Sequence, residues 1–336
     1  MYKNLLLFFV FFSFLLSCSQ PSKDTVKVFY SDSDQVKEVF QVVIENEDTI
    51  RTGSYLYYYP NGEPGQKGQY VKGQISGEWK LYDSTGYLEK VIHFQKGKKQ
   101  GPYRVYYSDD TLKQEGYYHQ GYLSKIFKTY YPDGTIESLT PYRKGVPHGE
   151  CINYYENGNV HIKSVYKHGI QKGKWESYYE TGELNYRGTK IKGQFVDTLR
   201  VFYKNGQLQR LCIYQNGKLN GPYRAFHKNG AYSVICEYVN GEIEGQYKEY
   251  HLSGHILQKG RYKKGEKTGQ WYSYYRDSSV YTEGVFKKGK FEGTWNIYYP
   301  NGTLKQQGTY HKGKRVGVWH YYHSNGSLKK KKNYHH

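Results

Sequence analysis

Thirteen histidines and four cysteines are the residues of this sequence that could bind a metal ion or act as nucleophiles. A zinc site needs three or four such ligands around one point. His227 and His251 lie 24 residues apart, and His320 and His323 have no cysteine or carboxylate near them in the chain. We therefore predict that the protein holds no metal ion.

The motifs of the common enzyme classes are also missing from the sequence. It contains no P-loop, no dinucleotide-binding glycine motif and no recognisable context for a catalytic serine or cysteine. Glycine pairs such as Gly313 and Gly317 could cradle a phosphate only ahead of a helix, and no helical periodicity follows them. We predict no catalytic residue, no cofactor and no small-molecule substrate, and so a protein that is not an enzyme.

The glycines follow a regular spacing of 24 residues. Four residues after each reference glycine comes a second glycine, except at Lys125 and Asp197, and nine residues after it comes an aromatic residue in all eleven copies. Self-similarity at such a period indicates stacked supersecondary units. The reference glycines are Gly73, Gly97, Gly121, Gly145, Gly169, Gly193, Gly217, Gly241, Gly265, Gly289 and Gly313.

Each unit consists of two extended runs separated by glycine turns. Asn-Gly pairs such as Asn301-Gly302 supply positive φ and are a strong hairpin signal. Connections this short make neighbouring strands antiparallel. The sequence predicts an all-β fold: an elongated, curved, single-layer antiparallel β-meander of about eleven hairpin repeats over residues 59–336. Lys190 and Asp197 depart from the pattern on either side of Gly193, which predicts a local irregularity there.

Burial in this chain must depend on aromatic rings, because aromatic residues make up 18% of it and 42 residues are tyrosine. All five tryptophans lie six residues after a reference glycine, which predicts a ladder of rings across the repeats. Cys212 and Cys236 stand where other repeats have glycine. We predict that they are small, half-buried replacements. Equivalent positions lie two strands or roughly 10 Å apart, so we predict no disulfide between them.

The N-terminus has the pattern of a signal peptide. Lys3 precedes an apolar run of about a dozen residues, Leu5 to Leu16, which is short for a membrane span. Leu15-Leu16-Ser17-Cys18 resembles the lipobox of bacterial lipoproteins, which implies cleavage after residue 17 and lipidation of Cys18. A simple signal peptide with an incidental cysteine is the alternative. Residues 18–24 then form a tether, and the alternating residues 25–58 an N-terminal β cap.

The repeat resembles the MORN repeat in its bacterial variant form, over about residues 59–336. One copy is carried by Tyr298, Tyr299, Asn301, Gly302, Leu304, Gly308, Tyr310, Gly313, Gly317 and Trp319. The resemblance implies successive β-hairpins in a curved sheet and a scaffold that binds proteins or acidic phospholipids. It also implies an antitoxin-like label, which fits poorly with an exported lipoprotein.

Charge gives the remaining functional signal, since residues 57–336 carry 44 Lys and Arg against 23 Asp and Glu. Such a surplus suits an anionic polymer or membrane surface, although solvated lysines that discourage aggregation are the simpler interpretation. Lys264, Lys288 and Lys312, each before a reference glycine, are candidate contacts. A tyrosine column ten residues after the reference glycines could be an exposed contact stripe or a second packed ladder. Its members are Tyr107, Tyr131, Tyr155, Tyr179, Tyr203, Tyr275 and Tyr299.

We therefore expect a non-catalytic scaffold in the cell envelope of a Gram-negative bacterium, held by a lipid anchor at the outer membrane. Its partner would be a protein or an anionic glycan or lipid. We do not expect nucleic acid, because an exported lipoprotein rarely meets it. The alternative is an antitoxin-like protein that neutralises a toxin or effector by direct binding.

Overall fold

The computed structural model describes residues 22–31 and 33–335. The predicted signal peptide and Cys18 lie outside these residues. The described residues form strands, turns and loops without a helix, so they contain no helix that could cross a membrane. They divide into two compact units between Thr111 and Leu112. Within each unit, successive strands pair antiparallel, apart from the two-residue strand Val146–Pro147, which pairs only with the strand before it.

The described part of the first unit contains seven strands. The strands are β1 (Asp24–Phe29), β2 (Val36–Glu45), β3 (Asp48–Tyr58), β4 (Pro64–Val71), β5 (Gln74–Tyr82), β6 (Leu88–Gln95) and β7 (Lys98–Tyr106). β3 already has the features of a repeat strand, because Gly53 adopts positive φ as Gly77 does and Tyr55 occupies the ring position of Trp79. The tight turn before it is Asn46-Glu47, without a glycine.

The second unit is also a meander of antiparallel strands. Its strands are β8 (Leu112–His119), β9 (Tyr122–Tyr130), β10 (Ile136–Arg143), β11 (Val146–Pro147), β12 (Gly149–Tyr154), β13 (Val160–Lys167), β14 (Ile170–Tyr178), β15 (Leu184–Ile191), β16 (Gln194–Phe202), β17 (Leu208–Gln215), β18 (Lys218–Phe226), β19 (Tyr232–Val239), β20 (Glu242–Tyr250), β21 (Ile256–Lys263), β22 (Glu266–Tyr274), β23 (Val280–Lys287), β24 (Lys290–Tyr298), β25 (Leu304–His311), β26 (Lys314–Tyr322) and β27 (Leu328–Tyr334). The predicted all-β meander of hairpin repeats is confirmed.

The tight corner of the hairpins is the Lys-Gly pair and not the Asn-Gly pair that the sequence pattern favoured. His311 pairs with Lys314 across a two-residue turn, in which Lys312 has φ 50° and Gly313 has φ 88°. Positive φ at both residues defines a type I′ turn, whose twist matches that of the flanking strands. Asn301 instead lies in a five-residue loop in which Gly302 has positive φ.

The second glycine of each repeat forms a bulge. On β23, Gly284 and Val285 are consecutive, but their partners on β24 are Trp295 and Glu292. Gly293 and Thr294 therefore have no partner on β23 and form the bulge. The same left-handed backbone persists without glycine at Lys125 (φ 65°) and at Asp197 (φ 58°). The predicted irregularity around Gly193 was wrong, because β15 and β16 keep the register shift of the other hairpins and Asp197 adopts the conformation that glycine has elsewhere.

One face of each sheet, termed the aromatic face, is packed by the tryptophan column. A Cβ added to Gly308 would lie 2.1 Å from the Trp319 ring, and Trp319 has no exposed surface. Trp79, Trp271, Trp295 and Trp319 also meet the aromatic residue three before a reference glycine at nearly a right angle. In Tyr310–Trp319 the ring centroids are 5.0 Å apart. Phe286–Trp295 repeats this contact at 5.2 Å. Edge-to-face pairs of this kind add to the stabilisation from burial.

Where the residue beneath the ring is larger than glycine, the ring can be smaller. Cys212 replaces glycine there and pairs with Tyr223, where most glycine copies have tryptophan, and Cys236 pairs with the same tyrosine from the next strand. Both cysteines are 2% exposed, so the prediction of half-buried residues was wrong. The larger side chain beneath and the smaller ring above together fill the volume that Gly and Trp fill elsewhere.

Candidate binding surface

The predicted tyrosine stripe lies along the edge formed by the five-residue loops, termed the loop edge. Its tyrosines are half-buried, and from Tyr131 onward their hydroxyls donate to a backbone carbonyl of the following repeat. Tyr131 Oη lies 2.7 Å from Tyr154 O, and Tyr275 Oη lies 2.8 Å from Tyr298 O. The same bond is made by Tyr155, Tyr179, Tyr203 and Tyr299. These hydroxyls therefore connect successive repeats.

The loop asparagines add a second connection between repeats. Asn301 Oδ1 accepts from the Thr303 amide at 3.1 Å, which closes the loop on itself. Its Nδ2 donates to Ser324 O of the next loop at 2.9 Å. An aspartate at the same position, such as Asp133, can accept hydrogen bonds but has no N–H to donate to the next loop. Hydrogen bonds from Thr135 lower the pKa of the Asp133 carboxyl. The choice of Asn over Asp at this position therefore adds an inter-repeat bond.

The predicted turn lysines lie at the opposite edge of the sheet, termed the turn edge. Lys264, Lys288 and Lys312 are exposed and adopt φ of 50–51°. Backbone amides of the turn hold it in place. The Gly313 amide donates to Phe291 O at 2.9 Å, and the Lys312 amide donates to the Glu292 carboxylate (Oε2) at 2.8 Å. In the described part of the chain, no ion pair engages the three ammonium groups.

The sheet face opposite the tryptophans, termed the polar face, carries hydrogen-bonded charges. Glu176 is 3% exposed and accepts from Arg187 Nε at 2.7 Å and Lys174 Nζ at 3.0 Å. The Tyr178 hydroxyl donates to it at 3.1 Å. Burial raises the pKa of this carboxyl, but the three hydrogen bonds outweigh burial and the net effect is a lowered pKa. Glu176 is therefore held ionised inside the sheet.

A second network on the polar face joins one carboxylate to uncharged side chains. Glu283 Oε1 accepts from Asn296 Nδ2 at 2.9 Å and from the Tyr298 hydroxyl at 2.6 Å. Gln307 Nε2 then donates to Asn296 Oδ1 at 3.0 Å. Burial, together with the bond to Glu283, raises the pKa of Tyr298 to about 12. These side chains satisfy one another and leave little capacity for a ligand.

The three described thiols are buried, and burial raises the pKa of each. Cys151, Cys212 and Cys236 are free and buried, and burial raises the pKa of Cys236 to about 11. A thiol with so high a pKa is a poor nucleophile near neutral pH. Within residues 22–31 and 33–335, no group of three or more His, Cys, Asp or Glu could hold a metal ion.

Five cations of the polar face were not among the predicted site residues. Arg200, Arg224 and Lys248 each lie seven residues after a reference glycine, and Arg187 and Lys259 lie eighteen after one. The sequence signal was present, because the first three occupy one column in successive repeats. It was overlooked because cations also occur beside most turn glycines, and only strand pairing shows which of them are neighbours.

Comparison with known proteins identifies the repeat. The model of the MORN repeat variant matches residues 99–120, 124–144, 147–168, 171–189, 198–216, 243–264, 291–312 and 315–336. No curated protein matches the sequence.

Solved structures give only a distant likeness. A crystal structure of TcdB2-TccC3-Cdc42 is 11% identical, with 89% of this chain and 20% of that chain covered and a TM-score of 0.17. The Photorhabdus luminescens Tc holotoxin pore is 12% identical, with the same coverage and TM-score. This chain spans about a fifth of those chains, and TM-scores this low say nothing about its fold or function. The family matches, in contrast, recur in the phase of the observed hairpins, and the chain belongs to the MORN repeat variant family.

Proposed function

We propose that this protein is a non-catalytic binding scaffold of the bacterial cell envelope. In this proposal several acyl chains on Cys18 hold it at the outer membrane, and the repeat sheet binds a protein or an anionic envelope component. The observation that supports binding is the exposed row of turn lysines at the turn edge, spaced by one repeat, in a region with a net charge of +21 over residues 57–336. The buried thiols and the mutually satisfied carboxylates favour a role without catalysis.

Binding is tested by immobilising the mature protein, residues 18–336, and passing envelope extract over it at low and high salt. Interactions among exposed charges weaken as the Debye length shortens from about 10 Å at 0.1 M to about 3 Å at 1 M salt. Retention of acidic glycans or lipids that disappears at high salt supports a charge-driven scaffold. Saturable retention of one protein at high salt would support either a protein-binding scaffold or the antitoxin-like alternative, and a toxin gene next to this one would then favour the second. Retention of nothing at either salt would contradict the proposal.

Anchoring is tested separately, with the Cys18→Ala variant. We expect the unaltered protein to incorporate labelled palmitate and to sediment with the outer membrane, and the variant to do neither. A single acyl chain gives only marginal membrane binding, so stable anchoring requires more than one. Sedimentation of Cys18→Ala with the membrane would show that Cys18 is not the anchor, and would leave the binding proposal intact.

A further inference from the structure

On the polar face of the second unit, one line of cross-strand partners runs over seven strands. Five of its seven residues are cations. Arg187 pairs with Arg200, and Lys248 pairs with Lys259. Between these pairs the line runs through Leu211, Arg224 and Ile235, each of them the cross-strand partner of the next. Six strand spacings give it a length of roughly 30 Å. We call Arg187, Arg200, Arg224, Lys248 and Lys259 the basic row.

The basic row places like charges side by side without neutralising most of them. Arg187 is paired with Glu176, but no ion pair in the described part of the chain involves the other four. Like charges directly opposite one another destabilise a sheet. Destabilising features of this kind cluster at ligand sites, and a bound anion would remove the repulsion among these cations.

Beyond Lys259, the same line of cross-strand partners contains no further cation up to Gln307. Past Lys259 it continues through Tyr272, Glu283, Asn296 and Gln307, and the last three belong to the closed hydrogen-bond network described above. The repeat architecture therefore does not require cations at these positions. Their accumulation between β15 and β21 is a property of this segment.

A cavity of about 310 Å³ lies in the middle of the row, lined by Arg224, Ile235, Cys236, Glu237, Gln246 and Lys248. Arg224 Nη1 donates to the carbonyls of Tyr223 and Cys236 at 2.9 and 3.0 Å, so the guanidinium is held against the sheet. No described residue accepts from its Nε or Nη2. Glu237 and Gln246 add acceptors beside the two cations. The cavity thus offers both charge and hydroxyl-binding groups.

The spacing of the row distinguishes between linear polyanions. Arg200, Arg224 and Lys248 are two strands or roughly 10 Å apart, whereas each strand of DNA carries a charge about every 3.4 Å. Single-stranded nucleic acid also needs free ring faces on which its bases stack. Here Phe226 and Tyr232, which flank the row, stack on each other at 5.0 Å. A hydroxyl-rich chain with widely spaced carboxylates fits both observations better than a nucleic acid does.

We propose that the basic row is a binding site for an acidic polysaccharide that lies across strands β15 to β21. The inference rests on the proposed scaffold function and specifies its ligand and its face. Carboxylates of alternate sugars meet Arg200, Arg224 and Lys248, and intervening hydroxyls bond with Glu237 and Gln246.

The test uses hyaluronan oligosaccharides, which have one carboxylate in every second sugar, and calorimetric titration at 150 mM salt. The variant combines Arg200→Gln, Arg224→Gln and Lys248→Gln. Its matched control combines Lys290→Gln, Lys314→Gln and Lys329→Gln, which removes the same charge at exposed positions outside strands β15 to β21. Gln74 and Gln194 occupy the position of Lys290 and Lys314 in other repeats, so glutamine is tolerated there. We expect about tenfold weaker binding for the row variant and less than about twofold for the control.

Three results would overturn the site: no binding by the unaltered protein, equal losses in both variants, or equally tight binding of single-stranded DNA or anionic lipid vesicles. If the row variant does not fold, the single change Arg200→Glu at an exposed position replaces it, with the same expected direction. Envelope components retained equally by the row variant and the unaltered protein would reject the basic row while leaving the scaffold function standing.

Discussion

At the scale of single residues, each buried tryptophan lies across a small residue of the preceding strand. Gly308 makes room for Trp319, and the same arrangement occurs between Gly284 and Trp295. Where the small residue is Cys212, the ring is that of Tyr223. The pairing of residue sizes across neighbouring strands, rather than either residue alone, keeps the aromatic face close-packed.

Substituting Gly308→Ala should destabilise the protein by about 1–3 kcal/mol, because the new Cβ would overlap the Trp319 ring. The measurement is urea unfolding followed by tryptophan fluorescence. Thr309→Ala, at the exposed neighbouring position, is the control and should cost little. Adding Trp319→Tyr to Gly308→Ala should cost less than the sum of the separate changes, by about 1 kcal/mol. Strict additivity would show that ring size does not compensate for the residue beneath it.

At the scale of the structural element, the hairpin is closed by a type I′ turn, a bulge and a five-residue loop. Each of them depends on left-handed backbone, which glycine adopts at the least cost. Asp197 holds that conformation in the bulge without a hydrogen bond that would justify aspartate, since the described side-chain contacts include none for it.

The change Asp197→Gly should therefore stabilise the protein by about 0.5–1 kcal/mol, because left-handed backbone costs a non-glycine residue on the order of 1 kcal/mol. Chemical denaturation would measure the gain. Asp197→Ala separates this effect from loss of the charge, since alanine keeps the backbone cost. A gain with alanine equal to that with glycine would show that the carboxylate, and not the φ of 58°, is unfavourable.

The loop edge allows a second prediction for this scale. Tyr299→Phe removes the hydroxyl that donates to Tyr322 O at 3.0 Å and should cost about 1 kcal/mol, the usual net contribution of one hydrogen bond. The free energy of unfolding measures it. Phenylalanine keeps the ring, so an unchanged stability would contradict the connecting role and would return the tyrosine column to the contact stripe that the sequence suggested.

At the scale of the whole molecule, stability should fall steeply at alkaline pH. Burial raises the pKa of Tyr55 and of Tyr298 to about 12, against about 10 in an unfolded chain. Their contribution is complete below pH 10 and is lost as the pH rises from about 10 to 12. Tyr334 acts in the opposite direction between pH 8 and 10, because hydrogen bonds with Tyr321 and Arg315 lower its pKa to about 8.

Melting temperatures at pH 8, 10 and 11.5 would test this dependence. We expect a modest change up to pH 10 and a marked fall above it. The double variant Tyr55→Phe and Tyr298→Phe should flatten the fall, because phenylalanine has no proton to lose. An equally steep fall in that variant would assign the alkaline loss to other groups.

Much of the fold follows from the periodicity of the sequence. The spacing of the glycines and rings predicted the antiparallel hairpins and the tryptophan ladder, because short connections and alternating side chains leave few other arrangements. The Asn-Gly pair was expected to form a hairpin turn, but the two-residue turn is Lys312-Gly313. Lys312 and Asn301 both precede a glycine, and the register of the flanking strands determines which of the two pairs forms the tight turn. The burial of Cys212 was underestimated because it depends on the ring of the next strand.

The sequence by itself determined the repeat, its strand pattern and its family, because these depend on local spacing that recurs eleven times. Only the tertiary structure decided which groups remain available. Hydrogen bonding between repeats engages the hydroxyl of Tyr299, and strand pairing brings Arg187 beside Arg200 although thirteen positions separate them in the chain. The strand register and the bulges determine which residues become cross-strand neighbours. A shift of one residue in the register would change every cross-strand pair.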